Sequence, residues 1–154
     1  MRSDPEQLYK EVKAIDFGPE HQIRDLGEGM AVLEELEYGY WKPRILIDET
    51  SQKAYGFMNR FNQLVTVRNQ DINWLSLARL PKKILQRALN KDGEYPTVIS
   101  RFSDGTATVM WLLNPDGRYY ADEDGFGMTS DTEIELLGSI DRTGRVVRKF
   151  RYEP

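Results

Sequence analysis

Apolar and polar residues alternate along most of this chain, and only two stretches carry helical spacing instead. The first helical stretch covers residues 4 to 15: Leu8, Val12 and Ile15 share one face, Asp4 is placed to cap, Pro5 suits the first helical position, and Gln7 completes a capping box. The second is PKKILQRALN, residues 81 to 90, with an apolar stripe of Ile84, Leu85, Ala88 and Leu89 and a wet face of Lys82, Lys83 and Arg87. Between them, segments near 21 to 26, 30 to 38, 43 to 48, 54 to 60 and 63 to 67 read as antiparallel strands, although AVLEELEY (31 to 38) also fits a helix.

The strongest strand is TATVMWLL, which is apolar on both faces: Val109, Trp111 and Leu113 on one, Met110 and Leu112 on the other. Such a strand belongs in the middle of a sheet covered above and below. It is flanked by Ser103-Asp104-Gly105, Pro115-Asp116-Gly117 and, further on, Arg142-Thr143-Gly144, each read as a three-residue hairpin loop closed by glycine. Around Arg142 to Gly144 this sets Ile140 opposite Val146, Leu136 opposite Phe150 and Ile134 opposite Tyr152, with Glu135 facing Arg151. The same rule sets Ile99 opposite Val109.

An internal repeat joins the two halves, 1 to 75 and 76 to 154. At an offset of 76, Pro5 meets Pro81, Gly29 meets Gly105, Ala31 meets Ala107 and Asp48 meets Asp124; at an offset of 82, GFMNRFNQLV meets GSIDRTGRVV. The expected fold is one α+β domain, 1 to 154, of mostly antiparallel sheet with two helices, in which two helix-plus-four- or five-strand units are related by a pseudo-twofold and bury one another's sheet faces.

Composition narrows the chemistry. With 40% hydrophobic and 30% charged residues the chain suits a soluble core-forming domain, and with no apolar run of membrane length and no secretory leader pattern the expected location is the cytoplasm. A formal charge of -4 argues against nonspecific nucleic-acid binding. The absence of cysteine removes disulfides, thiolate metal sites and thiol nucleophiles, and the single histidine, His21, lies in no nucleophile motif and reads as structural. Asp122, Glu123 and Asp124 precede Gly125, yet placing that glycine at the sixth position of a calcium loop puts Tyr120 first and Asp131 last, which fails the ligand pattern. No metal and no cofactor is therefore expected, and no catalytic residue is assigned.

What remains is charge. From Asn114 to Glu135 the acids Asp116, Asp122, Glu123, Asp124, Asp131, Glu133 and Glu135 face Arg118 alone, with Phe126 and Met128 set among them. WLLNPDGRYYADEDGFGMTSDTEIELLGSID, within residues 109 to 150, resembles a pattern in small uncharacterised bacterial proteins: a Trp strand, PDGRY, ADEDGFGM and an acidic strand. That resemblance implies a bacterial cytoplasmic protein and assigns no activity. The leading expectation is a non-enzymatic binding protein that neutralises a basic protein partner in the manner of immunity proteins, through Asp122, Glu123, Asp124, Phe126, Met128 and Asp131. The alternative is a small-ligand binder or carboxylate-dependent enzyme with a cleft between the halves lined by Tyr40, Trp41, Tyr119 and Tyr120.

Overall fold

The structure, a computed structural model, describes residues 4–37, 39–56, 68–82, 85–86, 97–98, 100–113 and 134–153. The described residues are α+β: one helix with described bounds, α1 (Pro5–Ala14), and two four-stranded antiparallel sheets, each a meander in sequence order. The first sheet holds β1 (His21–Gly27), β2 (Met30–Glu37), β3 (Tyr40–Asp48) and β4 (Lys53–Gly56). The second holds β5 (Thr97–Val98), β6 (Thr106–Leu113), β7 (Ile134–Asp141) and β8 (Val146–Tyr152). The expected second helix is described at Lys82, Leu85 and Gln86, all helical, with Leu85 N–H donating to Pro81 O.

Helix α1 starts as its sequence dictates, with Pro5 first and Asp4 before it, but the cap is simpler than a box: Asp4 Oδ1 accepts from Glu6 N at 3.0 Å, while Gln7 reaches forward to Glu11. The helix lays Leu8, Tyr9 and Val12 on Ala31, Leu33, Ile45 and Ile47 of the first sheet. Residues 31 to 37 are strand, because both of their faces find cover. Ala31 and Leu33 go under α1, while Val32 joins the larger core with Leu26, Met30 and Leu46.

In that larger core the second sheet contributes Ala107, Val109, Trp111, Leu113, Leu136, Ile140 and Phe150. Trp111 meets Phe150 edge-on at 5.8 Å between ring centres. Phe150 packs over Gly138, where an added Cβ would stand 2.8 Å from Arg148 O and 3.2 Å from the Phe150 ring. Val109, Trp111 and Leu113 are thus buried as the alternation requires, whereas Met110 and Leu112 are only half-buried.

Two registers differ from expectation. The β5–β6 connection is a two-residue turn: Asp104 (φ 52°) and Gly105 (φ 81°) lie between a reciprocally bonded Ser103–Thr106 pair. That turn alone would set Ser100 opposite Val109, but the register shifts again between Ser103 and β5, and Val98 rather than Ile99 pairs with Val109. Arg142–Gly144 is the three-residue loop predicted, closed by Asp141 N donating to Arg145 O, and Ile140 does face Val146. Beyond it, irregularities around Ser139 move the partner of Leu136 from Phe150 to Tyr152 and that of Arg151 from Glu135 to Leu137. A two-residue displacement preserves side-chain parity, so the same residues still face the core.

At offset 76 β2 and β6 span equivalent residues, and the Glu28–Gly29 turn (φ 51°, 77°) repeats the dihedral signs of Asp104–Gly105. Offset 82 matches unlike places, since Gly56 ends β4 while Gly138 lies inside β7. The faces that meet are also unlike. Met30 and Val32 pack against the side of the second sheet that carries Ala107 and Val109, which is the counterpart of the Ala31 and Leu33 side, not of their own.

Two short 3-10 turns, Asn69–Asp71 and Trp74–Leu77, close the outer edge of β8. Ile72 bridges to Phe150 in parallel, Asn73 N donates to Phe150 O at 2.8 Å, and Tyr152 N donates to Ser76 Oγ at 3.0 Å. An edge strand that would otherwise offer its backbone to a neighbour is thereby satisfied from within the chain.

Candidate functional site

The sheets are locked together at their turns by charge. Asp48, at the end of β3, accepts from Arg142 Nε at 3.2 Å and Nη2 at 3.0 Å, and its Oδ1 also takes the N–H groups of Thr50 and Ser51. Burial disfavours the Asp48 anion most, but Arg142 and the Ser51 donors outweigh it and hold the carboxyl below its usual value. Arg142 also stands 3.8 Å from Glu28, whose carboxylate receives Asp104 N at 2.8 Å and Gly105 N at 3.0 Å. Beside it, Gly27 N and the Arg101 guanidinium lower the pKa of Asp25. These acids serve the fold, each engaged by a donor from the opposite sheet or its own turn.

A second polar group lies on β1 and β2. Glu34, only 3% exposed, is held by Arg24 (3.1 Å and 3.4 Å) and by Gln22 Nε2 at 3.0 Å. A carboxylate in that position would be the natural base of an enzyme, but its oxygens are taken up by a guanidinium and an amide, which makes it an internal counter-ion. Among the described residues no group of three or more His, Asp or Glu side chains is arranged to hold a metal ion.

The described concavity is a shallow groove of about 220 Å³ where the α1–β1 connection runs beside β1, lined by Ile15, Asp16, Phe17, Gly18, His21, Gln22, Ile23 and Leu33. Phe17 and His21 contact each other at 5.3 Å, and His21 Nδ1 is buried without a hydrogen-bond partner. Ile15 and Ile23 remain more than half exposed. The sequence offers one hint of this groove: an isoleucine among charged residues on the first, outermost strand.

Of the residues singled out from sequence, Asp122, Glu123, Asp124, Phe126, Met128, Asp131, Tyr119 and Tyr120 lie outside the described residues, as does the side chain of Tyr40. Trp41 is described: it is half-exposed on β3, paired with Leu36, and does not line the groove. The base of the acidic stretch is nonetheless fixed. Leu113 pairs with Ile134, so residues 114–133 leave and re-enter the sheet at neighbouring points. At the corresponding place in the first sheet, β2 and β3 are joined through residues 38 and 39 alone, with Gly39 at φ 82°.

No protein-family model, no curated protein and no solved structure matches the chain.

Proposed function

We propose that the protein is a non-enzymatic acidic binding protein that engages a basic protein partner, in the manner of an immunity protein, through residues 114–133. The observation that carries this reading is the pairing of Leu113 with Ile134. Two strands so joined need only a two-residue turn, as β2 and β3 demonstrate, and the acidic stretch is far longer than that connection requires. Long insertions on a fixed hairpin base are where binding residues concentrate. Its charge, with Asp122, Glu123 and Asp124 in succession, suits attraction of a cationic surface, and Phe126 and Met128 supply apolar anchors. If the two meanders are copies of one unit, as the shared Glu28–Gly29 and Asp104–Gly105 geometry favours, the excursion is also the part that the first copy lacks. No helix among the described residues is long and apolar enough to cross a membrane.

The test is a variant in which residues 114–133 are replaced by Asn-Gly. It should keep the fold, read by tryptophan fluorescence, and lose a partner isolated with the intact chain. With that partner, Asp122→Asn, Glu123→Gln and Asp124→Asn together should slow association severalfold at low salt and much less at high salt, whereas Phe126→Ala should act on dissociation. Unchanged association of the triple variant at both salt concentrations refutes the reading. A small-ligand binder is the second reading, favoured by the groove beside His21, and it would be supported by saturable ligand shifts at Phe17 and His21 that survive excision of 114–133.

A further inference from the structure

The edge strands of the first sheet are unequal. β4 is covered by α1, and the outer edge of β8 in the second sheet is sealed by the 3-10 turns, but β1 borders β2 on one side only. Leu36 N donates to Glu20 O, and the antiparallel register then directs the backbone groups of Gln22 and Arg24 toward β2. The N–H and C=O groups of Ile23 and Asp25 therefore point away from the sheet. Gln22, Ile23 and Asp25 are all exposed, Ile23 at 55%. The open stretch is short: His21 N turns back to Gly18 O at one end, and at the other a bulge between Asp25 and Gly27 precedes Leu26, whose carbonyl accepts Phe102 N at 2.6 Å.

The geometry points to this edge as a dimerisation surface: β1 pairs antiparallel with β1 of a second copy of the chain about a twofold axis at Ile23, joining the two first sheets into one. Sequence and parity select both the occupant and the register. Only odd-numbered residues of β1 present free backbone groups, so the strands meet with odd opposite odd. Centring on Ile23 sets each His21 opposite Asp25 of the second copy and each Gln22 opposite Arg24 of the second copy. An imidazole N–H thus faces a carboxylate, and an amide oxygen faces a guanidinium. Sliding by two residues in one direction brings Arg24 against Arg24 of the second copy, a like-charge pair; in the other it leaves Asp25 outside the strand. The same five residues are thus complementary to themselves in one register, as a closed isologous contact requires.

Side chains favour the same arrangement. Ile23 lies on the α1 side of the sheet, opposite Leu33, with Ile15 and Phe17 around the same groove. About the twofold, Ile23 meets Ile23 of the second copy, and the two exposed Ile15 side chains extend one apolar strip along the helix side. Backbone bonds follow without rearrangement: Ile23 N–H and C=O pair with those of Ile23 of the second copy, and each Asp25 N–H reaches the His21 carbonyl of the second copy. This surface does not involve residues 114–133, so it stands or falls apart from the proposed partner binding.

Sedimentation equilibrium of the full chain from about 1 μM to about 1 mM should show a reversible monomer–dimer equilibrium, its affinity limited by the short paired segment. Ile23→Lys should weaken dimerisation at least tenfold, while Val147→Lys, also at an exposed isoleucine-like position (54%) but on β8, should leave it unchanged. Amide exchange provides a readout that needs no variant. Ile23 and Asp25 should exchange more slowly as concentration rises, whereas Gln22 and Arg24, already bonded within the sheet, should not respond. A monomer at about 1 mM overturns the proposal. So does a dimer insensitive to Ile23→Lys, which would use another face, or one without concentration-dependent protection at Ile23 and Asp25, which would not be a strand pairing.

Discussion

Removing Arg142 should cost more than neutralising the aspartate it holds. Asp48 is 6% exposed and keeps two backbone donors, Thr50 N and Ser51 N, when Arg142 is truncated to alanine, but it loses both guanidinium bonds that balance its burial. Breaking a buried ion pair by deleting one partner typically costs ~3–5 kcal/mol. Arg142 is 29% exposed, so water can partly replace it, and a loss of ~2 kcal/mol is expected. For a chain of this size that is roughly 4–8 °C in Tm. Asp48→Asn keeps an acceptor for the two amides and leaves Arg142 near Glu28 and solvent, for a cost of about 1 kcal/mol. The double variant should cost less than the sum of the two, with a coupling energy of ~1–2 kcal/mol.

The same pair fixes a pH dependence. The Asp48 carboxyl is depressed in the native state, so it takes up its proton at lower pH than in the unfolded chain. Its contribution is therefore complete above about pH 4, the unfolded value, and is lost as pH falls through the native one. Urea unfolding of the wild type and of Arg142→Ala should differ by the full amount at pH 7 and converge in acid, as protonation removes in the wild type what truncation removed in the variant. Arg142→Ala proving milder than Asp48→Asn, or a gap that does not narrow in acid, would refute the view that charge pairing locks the two sheets at this turn.

Two further outcomes follow from local geometry. Gly138→Ala should destabilise by about 1–3 kcal/mol in urea titration, because the new methyl presses on the Arg148 carbonyl and the Phe150 ring rather than on a flexible chain end. Tyr9 donates to Glu49 at 2.6 Å, which raises its pKa, while Lys13 and Tyr9 lower that of Glu49; Glu49→Gln should therefore move the Tyr9 titration downward in an absorbance or NMR titration and leave the helix intact.

How far these features can be read from residues alone depends on whether side-chain parity or backbone geometry carries them. Parity is written in the sequence. Val109, Trp111 and Leu113 face the core as their alternation requires, and Asp4-Pro5 starts α1 where the cap and the ring demand. Register is not, because a bulge displaces partners by whole residues and a two-residue displacement leaves the apolar pattern unchanged; Leu136 faces the core opposite Tyr152 as comfortably as it would opposite Phe150. The Ser103–Thr106 turn shows the complement of this. Asp-Gly is the signature of a two-residue hairpin, and counting Ser103 into the loop overlooks that its N–H and C=O both bond to Thr106. The turns at 69–77 carry no period at all, and only their hydrogen bonds to β8 reveal what they do.

The functional features divide in the same way, with a consequence for where binding surfaces arise in this chain. Acids that look alike in sequence fall into two kinds once partners are known. Asp25, Glu28, Glu34 and Asp48 are each held by an arginine or by turn amides. The acids of residues 114–133 lie in the sequence between Leu113 and Ile134, which pair with each other. The described edges separate likewise: β8 is closed by its own chain, α1 packs against β4, and β1 keeps backbone groups and Ile23 turned outward. Among the described residues β1 thus keeps outward backbone groups that the outer edge of β8 does not, and that asymmetry between edge strands is what the proposed pairing with a second copy rests on.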